Sequence, residues 1–283
     1  MSKRKRVFSR KIFNEWIKEG RGKGDGPSYQ PWYRIQDVPS HGTCHRIKSV
    51  WTTGRETHLL SNLERDWFFV FDWASHVVDI REQFPLLPLA ETQAIAVECG
   101  ISHPFERRSG EKQAIVLTSD FRITLVEGDR TVDQIRTVKY AKSLSNKRVM
   151  EKFEIERRYW ERRGIAWGIV TERELPKQLV RNIELLHGKC CLSERLNLRA
   201  EQLYLIAQSL TKAVISEHLS LKEAGTSCER QFGLDKGAGL TIAYYLLANR
   251  YWNVDMYHPI DPRKRITLLD HDLEKLQSTG GRS

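Results

Sequence analysis

The stretch that decides the fold is residues 118–140, TSDFRITLVEGDRTVDQIRTVKY. Two apolar runs, FRITLVE and IRTVKY, flank the turn-like segment GDRTVD, and this pattern predicts two neighbouring strands joined by a turn. Asp120 opens the first run and Lys139 closes the second. Because the open ends of a hairpin lie side by side, we expect this carboxylate and this amine to face one small space. The pair is either a surface salt bridge or part of an active site.

The segments around this hairpin predict a mixed sheet with helices on its faces. Apolar residues recur at three- and four-residue steps across 57–73 and 146–163, which predicts two amphipathic helices. VVDIREQFPLLP before the hairpin and IAWGIVT after the second helix have the character of strands. The helix between the hairpin and the last strand makes a crossover connection of the kind that joins parallel strands. We therefore expect one α/β domain over residues 1–170.

The character of the sequence changes after about residue 170. Three helical segments are followed by the strand-like YWNVDM, the turn-like HPIDPRKR and the short run ITLLD. Three helices and a terminal hairpin outline a winged-helix-like domain, which we expect over residues 171–270. We expect the tail, residues 271–283, to be disordered.

The composition of the whole chain narrows the class of function. Hydrophobic residues make up 40% of the 283 residues, enough for a folded core. The net charge of +10 favours an acidic polymer as partner, nucleic acid first. The five cysteines form no CxxC pair, which argues against a zinc site and favours a reducing, cytoplasmic location. No segment approaches the roughly 18 apolar residues of a membrane helix, so we expect no membrane association.

Glu64, Asp120 and Lys139 are candidates for metal-assisted chemistry. Phosphodiester cleavage uses a divalent cation, which carboxylate oxygens bind, and a nearby lysine can stabilise the charge that develops on the phosphate. Glu64 lies between Leu60 and Trp67 in the helical rows, at the edge of the buried face. Each candidate also has a plainer explanation: an arginine salt bridge for Glu64, a turn position for Asp120, and an edge-strand lysine for Lys139. A helical Glu, then an Asp, then x-Lys is nevertheless the order of the PD-(D/E)xK nucleases.

Longer motifs resemble one family closely. The stretches EGRGKGDGPSYQPWYRIQDVPSHGTCHRI, HLLSNLE, VVDIREQFPLLP, TSDF and EIERRYW, in this order, look like the TnsA family. These proteins are the endonuclease subunits of heteromeric bacterial transposases. The resemblance is close over roughly residues 15–175 and looser beyond them. It implies a PD-(D/E)xK, restriction-endonuclease-like domain with a mixed sheet, followed by a mainly α, winged-helix-like domain.

The resemblance also implies roles for single residues. Glu64, Asp120 and Lys139 fall on the family's catalytic positions. Glu64 and Asp120, with the backbone carbonyl of Val138, would hold Mg²⁺ or Mn²⁺, and Lys139 would stabilise the scissile phosphate or orient the water. Thr137 departs from the pattern, because the wider fold has an acid there and this family often has Gln. We therefore expect weaker metal binding than in a nuclease with a third carboxylate.

Glu156, in EIERRYW, could support the site from the second helix. In a helix so rich in arginine, however, we expect a solvent-facing glutamate that pairs with an arginine.

By the same resemblance, the substrate would be DNA at the transposon ends. The protein would cut the non-transferred strands at the 5′ ends, which allows excision. The implied partners are a TnsB-like DDE transposase and a TnsC-like AAA+ ATPase regulator. Two alternatives stay open: a stand-alone restriction-type endonuclease, and a non-catalytic winged-helix regulator that binds DNA.

Overall fold

The computed structural model of the chain describes residues 9–37, 43–108, 111–192, 196 and 198–279. Its contacts divide the chain into two compact units, Met1–Leu175 and Pro176–Ser283. Within the described ranges, no helix is both long and apolar enough to cross a lipid bilayer.

The first unit contains four helices and eight strands in its described part. In chain order they are α1 (Arg10–Lys18), β1 (His45–Lys48), β2 (Glu56–Leu59), α2 (Asn62–Trp73), β3 (Val77–Pro85), α3 (Leu89–Glu98), β4 (Phe105–Arg108), β5 (Glu111–Ala114), β6 (Thr118–Glu127), β7 (Arg130–Val138), α4 (Lys147–Glu161) and β8 (Ala166–Val170). The strands form one four-stranded sheet and two separate hairpins, β1–β2 and β4–β5.

The central sheet has the strand order β3-β6-β7-β8. The pairs β3–β6 and β6–β7 are antiparallel, whereas β7 and β8 are parallel and are joined through α4. The predicted mixed α/β architecture is therefore confirmed. A core of buried side chains packs between this sheet and the helices α3 and α4, and it includes Leu86, Ile95, Ile135, Ile155 and Trp160.

The predicted helix over 57–73 is wrong in its first part. Strand β2 ends at Leu59, which pairs with His45 of β1, and α2 begins only after Ser61. The Ser61 side chain accepts a hydrogen bond from the backbone N–H of Glu64 and so caps the helix. Leu59 and Leu60 also fit the helical spacing, but Leu59 belongs to a strand and is completely buried there.

The second unit is mainly helical. Its elements are α5 (Lys177–His187), α6 (Ala200–Ile215), α7 (Leu221–Phe232), α8 (Ala238–Ala248), β9 (Trp252–Val254), β10 (Leu268–His271) and α9 (Glu274–Thr279). The strands β9 and β10 pair antiparallel. In the described part, four helices rather than the predicted three precede this hairpin. The unforeseen helix is α7, whose sequence includes Gly225, Thr226 and Ser227, residues of low helix propensity.

The expectation of a disordered tail over residues 271–283 is wrong for its first part. Residue His271 belongs to β10, and α9 follows it. Leu276 of this helix is buried, so the segment packs onto the rest of the unit. Residues 280–283 lie outside the described part of the chain.

Two glycines set the close approach of α7 and α8. A Cβ atom on Gly239 would lie 2.3 Å from the backbone oxygen of Gly225, and a Cβ on Gly225 would lie 2.8 Å from the backbone nitrogen of Leu240. Because these neighbours are backbone atoms, no side-chain rotation could relieve the overlap. The helix pair can therefore pack at this distance only with glycine at both positions.

We predict that Gly239→Ala destabilises the second unit by about 1–3 kcal/mol, because the helices must move apart. In an open helix the same change would stabilise by up to ~1 kcal/mol. Urea unfolding followed by circular dichroism measures the change. Gly188→Ala is the control, since nothing lies within 4 Å of its Cβ position. Equal unfolding midpoints for the two variants would contradict this account of the packing.

Candidate active site

A cavity of about 440 Å³ opens at one end of the central sheet. Its lining includes Glu64 from α2, Asp120 from β6, Val138 and Lys139 from the end of β7, and Glu156 from α4. The structure thus brings together all four residues that the resemblance implied as catalytic or metal-binding. This placement does not by itself assign their roles, which stay predictions.

The pairing of β6 and β7 positions Asp120. Phe121 is opposite Arg136 in the register, so Asp120 lies beside the end of β7. Its Oδ2 accepts a hydrogen bond of 2.7 Å from the backbone N–H of Val138. Asp120 is therefore the third residue of a strand, fixed by the neighbouring main chain, and not a turn residue.

Lys139 directly follows β7 and continues its pairing with β8, since its backbone N–H donates to the carbonyl oxygen of Val170 at 3.0 Å. Strand β7 lies inside the sheet, between β6 and β8. The explanation of Lys139 as an edge-strand lysine is therefore wrong. Within the described part of the chain its ammonium group forms no ion pair or side-chain hydrogen bond, so it is available to an anion in the cavity.

Glu64 is buried, with 8% of its surface exposed. One carboxylate oxygen, Oε2, accepts from the backbone N–H of Leu60 at 2.9 Å and from the side-chain amide of Gln83 at 3.3 Å. The other, Oε1, accepts from the Ser61 hydroxyl at 2.9 Å. No arginine of the described residues pairs with Glu64, so the salt-bridge explanation is wrong as well.

The two carboxylates repel each other in this buried setting. Burial raises the pKa of Glu64, the charge of Asp120 raises it further, and the hydrogen bonds from Leu60, Ser61 and Gln83 lower it in part. Burial also raises the pKa of Asp120, against the lowering effects of the Val138 N–H, the Lys139 charge and a hydrogen bond from Gln83. Both groups therefore hold a proton more readily than an exposed acid, and a bound cation would favour their ionised forms.

The expectation of a solvent-facing Glu156 is wrong. Only 4% of this residue is exposed, and its Oε1 accepts hydrogen bonds of 2.6 Å from the hydroxyls of both Ser119 and Thr137. Indole N–H groups support these hydroxyls, from Trp160 to Ser119 at 2.8 Å and from Trp167 to Thr137 at 3.2 Å. Glu156 is thus a third acid in the cavity, held by a network of uncharged donors.

A sequence signal for Glu156 was present. The residue lies three positions after Phe153 and four before Trp160, two of the apolar residues whose spacing predicts the amphipathic helix over 146–163. Gln83, which also contacts the site, gave no such signal. It lies within a strand-like run and has a backbone φ of +48°, a left-handed conformation that is rare for residues other than glycine, asparagine and aspartate. Such a conformation costs of order ~1–3 kcal/mol.

The donor set suits a hard divalent cation. Mg²⁺ prefers oxygen ligands, is bound through one or two carboxylates, and keeps several waters. Glu64 and Asp120 supply two carboxylates, and Val138 brings a backbone carbonyl to the same end of the sheet. Among the described residues, no three His, Cys, Asp or Glu side chains are grouped so as to hold an ion. Water and a backbone carbonyl would have to complete the coordination.

Comparisons with known proteins assign the chain to a family. One family model, described as the TnsA-like endonuclease N terminal, matches residues 74–172, and a second, the TnsA endonuclease C terminal, matches residues 174–256. Asp120, Val138, Lys139 and Glu156 lie inside the first match, and Glu64 precedes it. Both models describe endonucleases, and this is therefore the class of protein to which the chain belongs.

Among individual proteins, the chain is similar to the transposon Tn7 transposition protein TnsA of Escherichia coli. It is 45% identical over 188 residues, and the aligned part is 66% of this chain and 66% of that relative, just under two thirds of each. The chain belongs to the TnsA endonuclease family.

We predict that the metal-free protein loses stability as the pH rises. Burial raises the pKa of Glu156 from its usual 4.5 to about 7, so the folded state holds this proton over a pH range in which the unfolded state has released it. The stabilisation is complete below pH 4.5 and is lost as the pH passes through 7, a change of about 3 kcal/mol. Thermal melting from pH 4.5 to 8 in the presence of a chelator measures it.

The control for this prediction is Glu156→Gln, which cannot ionise. Its melting temperature should depend less on pH than that of the wild type over the same range. Parallel pH profiles for the two proteins would show that Glu156 does not titrate in this way.

Proposed function

We propose that the protein is the metal-dependent DNA endonuclease subunit of a cut-and-paste transposase, and that it cleaves the non-transferred strands at the 5′ ends of the transposon. One observation carries this proposal: Glu64, Asp120 and Lys139 line one cavity at the end of a mixed sheet, and among the described residues Lys139 has no ion-pair partner. Membership of the TnsA family supports the transposition role. The metal would be Mg²⁺ or Mn²⁺, bound by Glu64, Asp120 and the carbonyl oxygen of Val138.

We further propose that the first unit has the restriction-endonuclease-like, PD-(D/E)xK fold and that the second is winged-helix-like. The strand order β3-β6-β7-β8 with its parallel final pair supports the former. Helices α6 to α8, followed by the hairpin β9–β10, support the latter.

The bound cation would polarise the phosphate and lower the pKa of the attacking water. The residues of the chain supply the rest. Glu64 and Asp120 would hold the cation, and main-chain donors orient both carboxylates in the absence of DNA. Lys139 places a positive charge where the pentacoordinate phosphate gains negative charge, and this stabilises the transition state.

Glu156 and Thr137 would complete the site from its inner wall. Thr137 has no charge, but its hydroxyl donates a hydrogen bond to Glu156. In this way the strand residue orients a carboxylate that comes from α4. We propose that Glu156 receives a proton from, or accepts a hydrogen bond from, a water in the cavity. This role accounts for a buried carboxylate that contacts no cationic side chain among the described residues.

The partners proposed are DNA at the transposon ends, a TnsB-like DDE transposase that cuts and joins the 3′ ends, and a TnsC-like AAA+ ATPase regulator. The net charge of +10 supports salt-sensitive, largely sequence-independent affinity for the DNA backbone. Recognition of the end sequences would then come mainly from the transposase. We propose a cytoplasmic location on the grounds of cysteine usage alone.

We predict that Asp120→Asn and Glu64→Gln each abolish 5′-strand cleavage, because each removes a ligand charge, and that Lys139→Ala slows it by ~10²–10³-fold. The assay combines the protein with its candidate transposase and ATPase on a transposon-end DNA, and maps nicks on each strand. Asp129→Asn is a matched control, because Asp129 is an exposed aspartate in the turn at the opposite end of the same hairpin. Circular dichroism confirms that each variant is folded.

Two outcomes would replace the proposal. Cleavage at a defined sequence by the protein alone would favour a stand-alone restriction-type endonuclease. Excision that survives Asp120→Asn would favour a non-catalytic DNA-binding regulator. Nicks on the transferred strands that disappear with Asp120→Asn would show that the assignment of strands is wrong.

A further inference from the structure

Gln83 is a buried residue of β3 with an unusual backbone. Only 3% of it is exposed, and its φ is +48°. Its neighbours Glu82 and Phe84 pair with Phe121 and Ser119 of β6, so Gln83 lies opposite Asp120. The strand therefore departs from regular geometry at the point that faces a proposed metal ligand.

The amide of Gln83 acts on both carboxylates. Its Nε2 donates to Oε2 of Glu64 at 3.3 Å, and the same side chain lowers the pKa of Asp120, which lies opposite Gln83 in the sheet. Its Oε1 accepts from the Thr118 hydroxyl at 3.2 Å. Since a carboxylate accepts and the hydroxyl donates, this pattern fixes the orientation of the amide, with the nitrogen towards the acids.

The left-handed backbone is held from outside the sheet. The carbonyl oxygen of Gln83 accepts from the backbone N–H of Trp32 at 3.2 Å, and Trp32 is fully buried. Gly22, on the same N-terminal segment, packs so closely on Pro85 that a Cβ there would lie 2.3 Å from its ring. If backbone shape were the only requirement, glycine would suit position 83 better than glutamine. The presence of glutamine at this strained position therefore indicates that its side chain is needed.

We propose that Gln83 is a positioning residue for the cation site: its amide holds Glu64 and Asp120 at the separation at which both can bind one divalent cation. The inference rests on the proposed metal-dependent function. Without the amide, the two mutually repelling carboxylates would turn apart, and binding of the cation would have to draw them together again. Gln83 itself contacts the ligands, not the reacting atoms.

Two isosteric variants test this role. Gln83→Met keeps the length of the side chain and the Cβ atom but removes the amide. Thr118→Val removes the hydroxyl that orients the amide and leaves both carboxylates in place. We expect Gln83→Met to weaken Mn²⁺ binding by ~10–100-fold, the usual effect of losing a group that orients metal ligands, and Thr118→Val to weaken it less. Titration calorimetry with Mn²⁺ on the full chain, without DNA, measures both.

The double variant separates positioning from a general loss of packing. If Thr118 acts through Gln83, adding Thr118→Val to Gln83→Met causes no further loss of Mn²⁺ affinity. Cleavage by Gln83→Met should recover at high Mn²⁺ concentration, with kcat near that of the wild type. Gln134→Met is the matched control, because Gln134 contacts Arg136 on β7 of the same sheet and lies outside the cavity.

The outcomes distinguish this inference from the proposed function. If the wild type binds Mn²⁺ no more tightly than Asp120→Asn, the proposed metal site itself fails. If Asp120→Asn loses binding while Gln83→Met and Thr118→Val match the wild type, the positioning role alone is overturned. Should Gln83→Met not fold, Thr118→Val decides: unchanged Mn²⁺ affinity overturns the role, and a measurable loss supports it.

Discussion

The hydrogen bond from the backbone N–H of Val138 to Asp120 is the contact on which the site depends. It exists only because β6 and β7 pair in one register, and a slip of one residue would turn Asp120 to the other face of the sheet. The same pairing fixes where β7 ends, and so where Lys139 leaves the sheet. Strand β7 is flanked on both sides, by β6 and β8, so its register cannot shift alone. Helices α2 and α4 of the first unit bring Glu64 and Glu156 into the same cavity as Asp120.

Three carboxylates and the ammonium of Lys139, which forms no ion pair within the described part of the chain, line one cavity, and this is an unfavourable arrangement for folding alone. Each acid is therefore provided with uncharged donors: main-chain N–H groups for Glu64 and Asp120, and hydroxyls for Glu156. These donors offset desolvation without neutralising the charge. An arginine would have stabilised the acids more simply, but it would also have competed with a cation. The carboxylates are therefore left without a cationic partner among the described residues, and a divalent cation can take that place.

The sequence predicts those features that depend on local periodicity. The hairpin, the crossover through α4 and the mixed sheet follow from alternating and helical spacing, and the family follows from long motifs rather than from scattered acids. The sequence predicts helix over strand β2 because Leu59 and Leu60 fit a helical spacing, and only the pairing of β2 with β1 shows that the segment is a strand. The arginines around Glu156 predict an exposed side chain, whereas its spacing from Phe153 and Trp160 predicts the inward orientation that the structure shows.

Gln83 shows a limit of a different kind. Its backbone is left-handed, its carbonyl oxygen accepts a hydrogen bond from Trp32, about fifty residues earlier in the chain, and no local sequence pattern predicts this conformation. Local propensity predicts an ordinary extended residue at position 83, and the remainder of β3 pairs with β6 as a strand. Strained backbone conformations are expected mainly at functional sites, where the site needs a geometry that a regular strand or helix does not provide.

Thr137 illustrates how such a site tolerates a departure from its family pattern. An acid at this position, as in the wider fold, would place a third carboxylate on the strand beside Asp120. Here Glu156 already reaches the same cavity from α4, and it accepts a 2.6 Å hydrogen bond from the Thr137 hydroxyl. Replacing Thr137 by an acid would remove that donor and bring a like charge against Glu156. The threonine and the helix-borne glutamate therefore form one arrangement, in which the carboxylate comes from α4 and the hydroxyl of the strand residue donates to it.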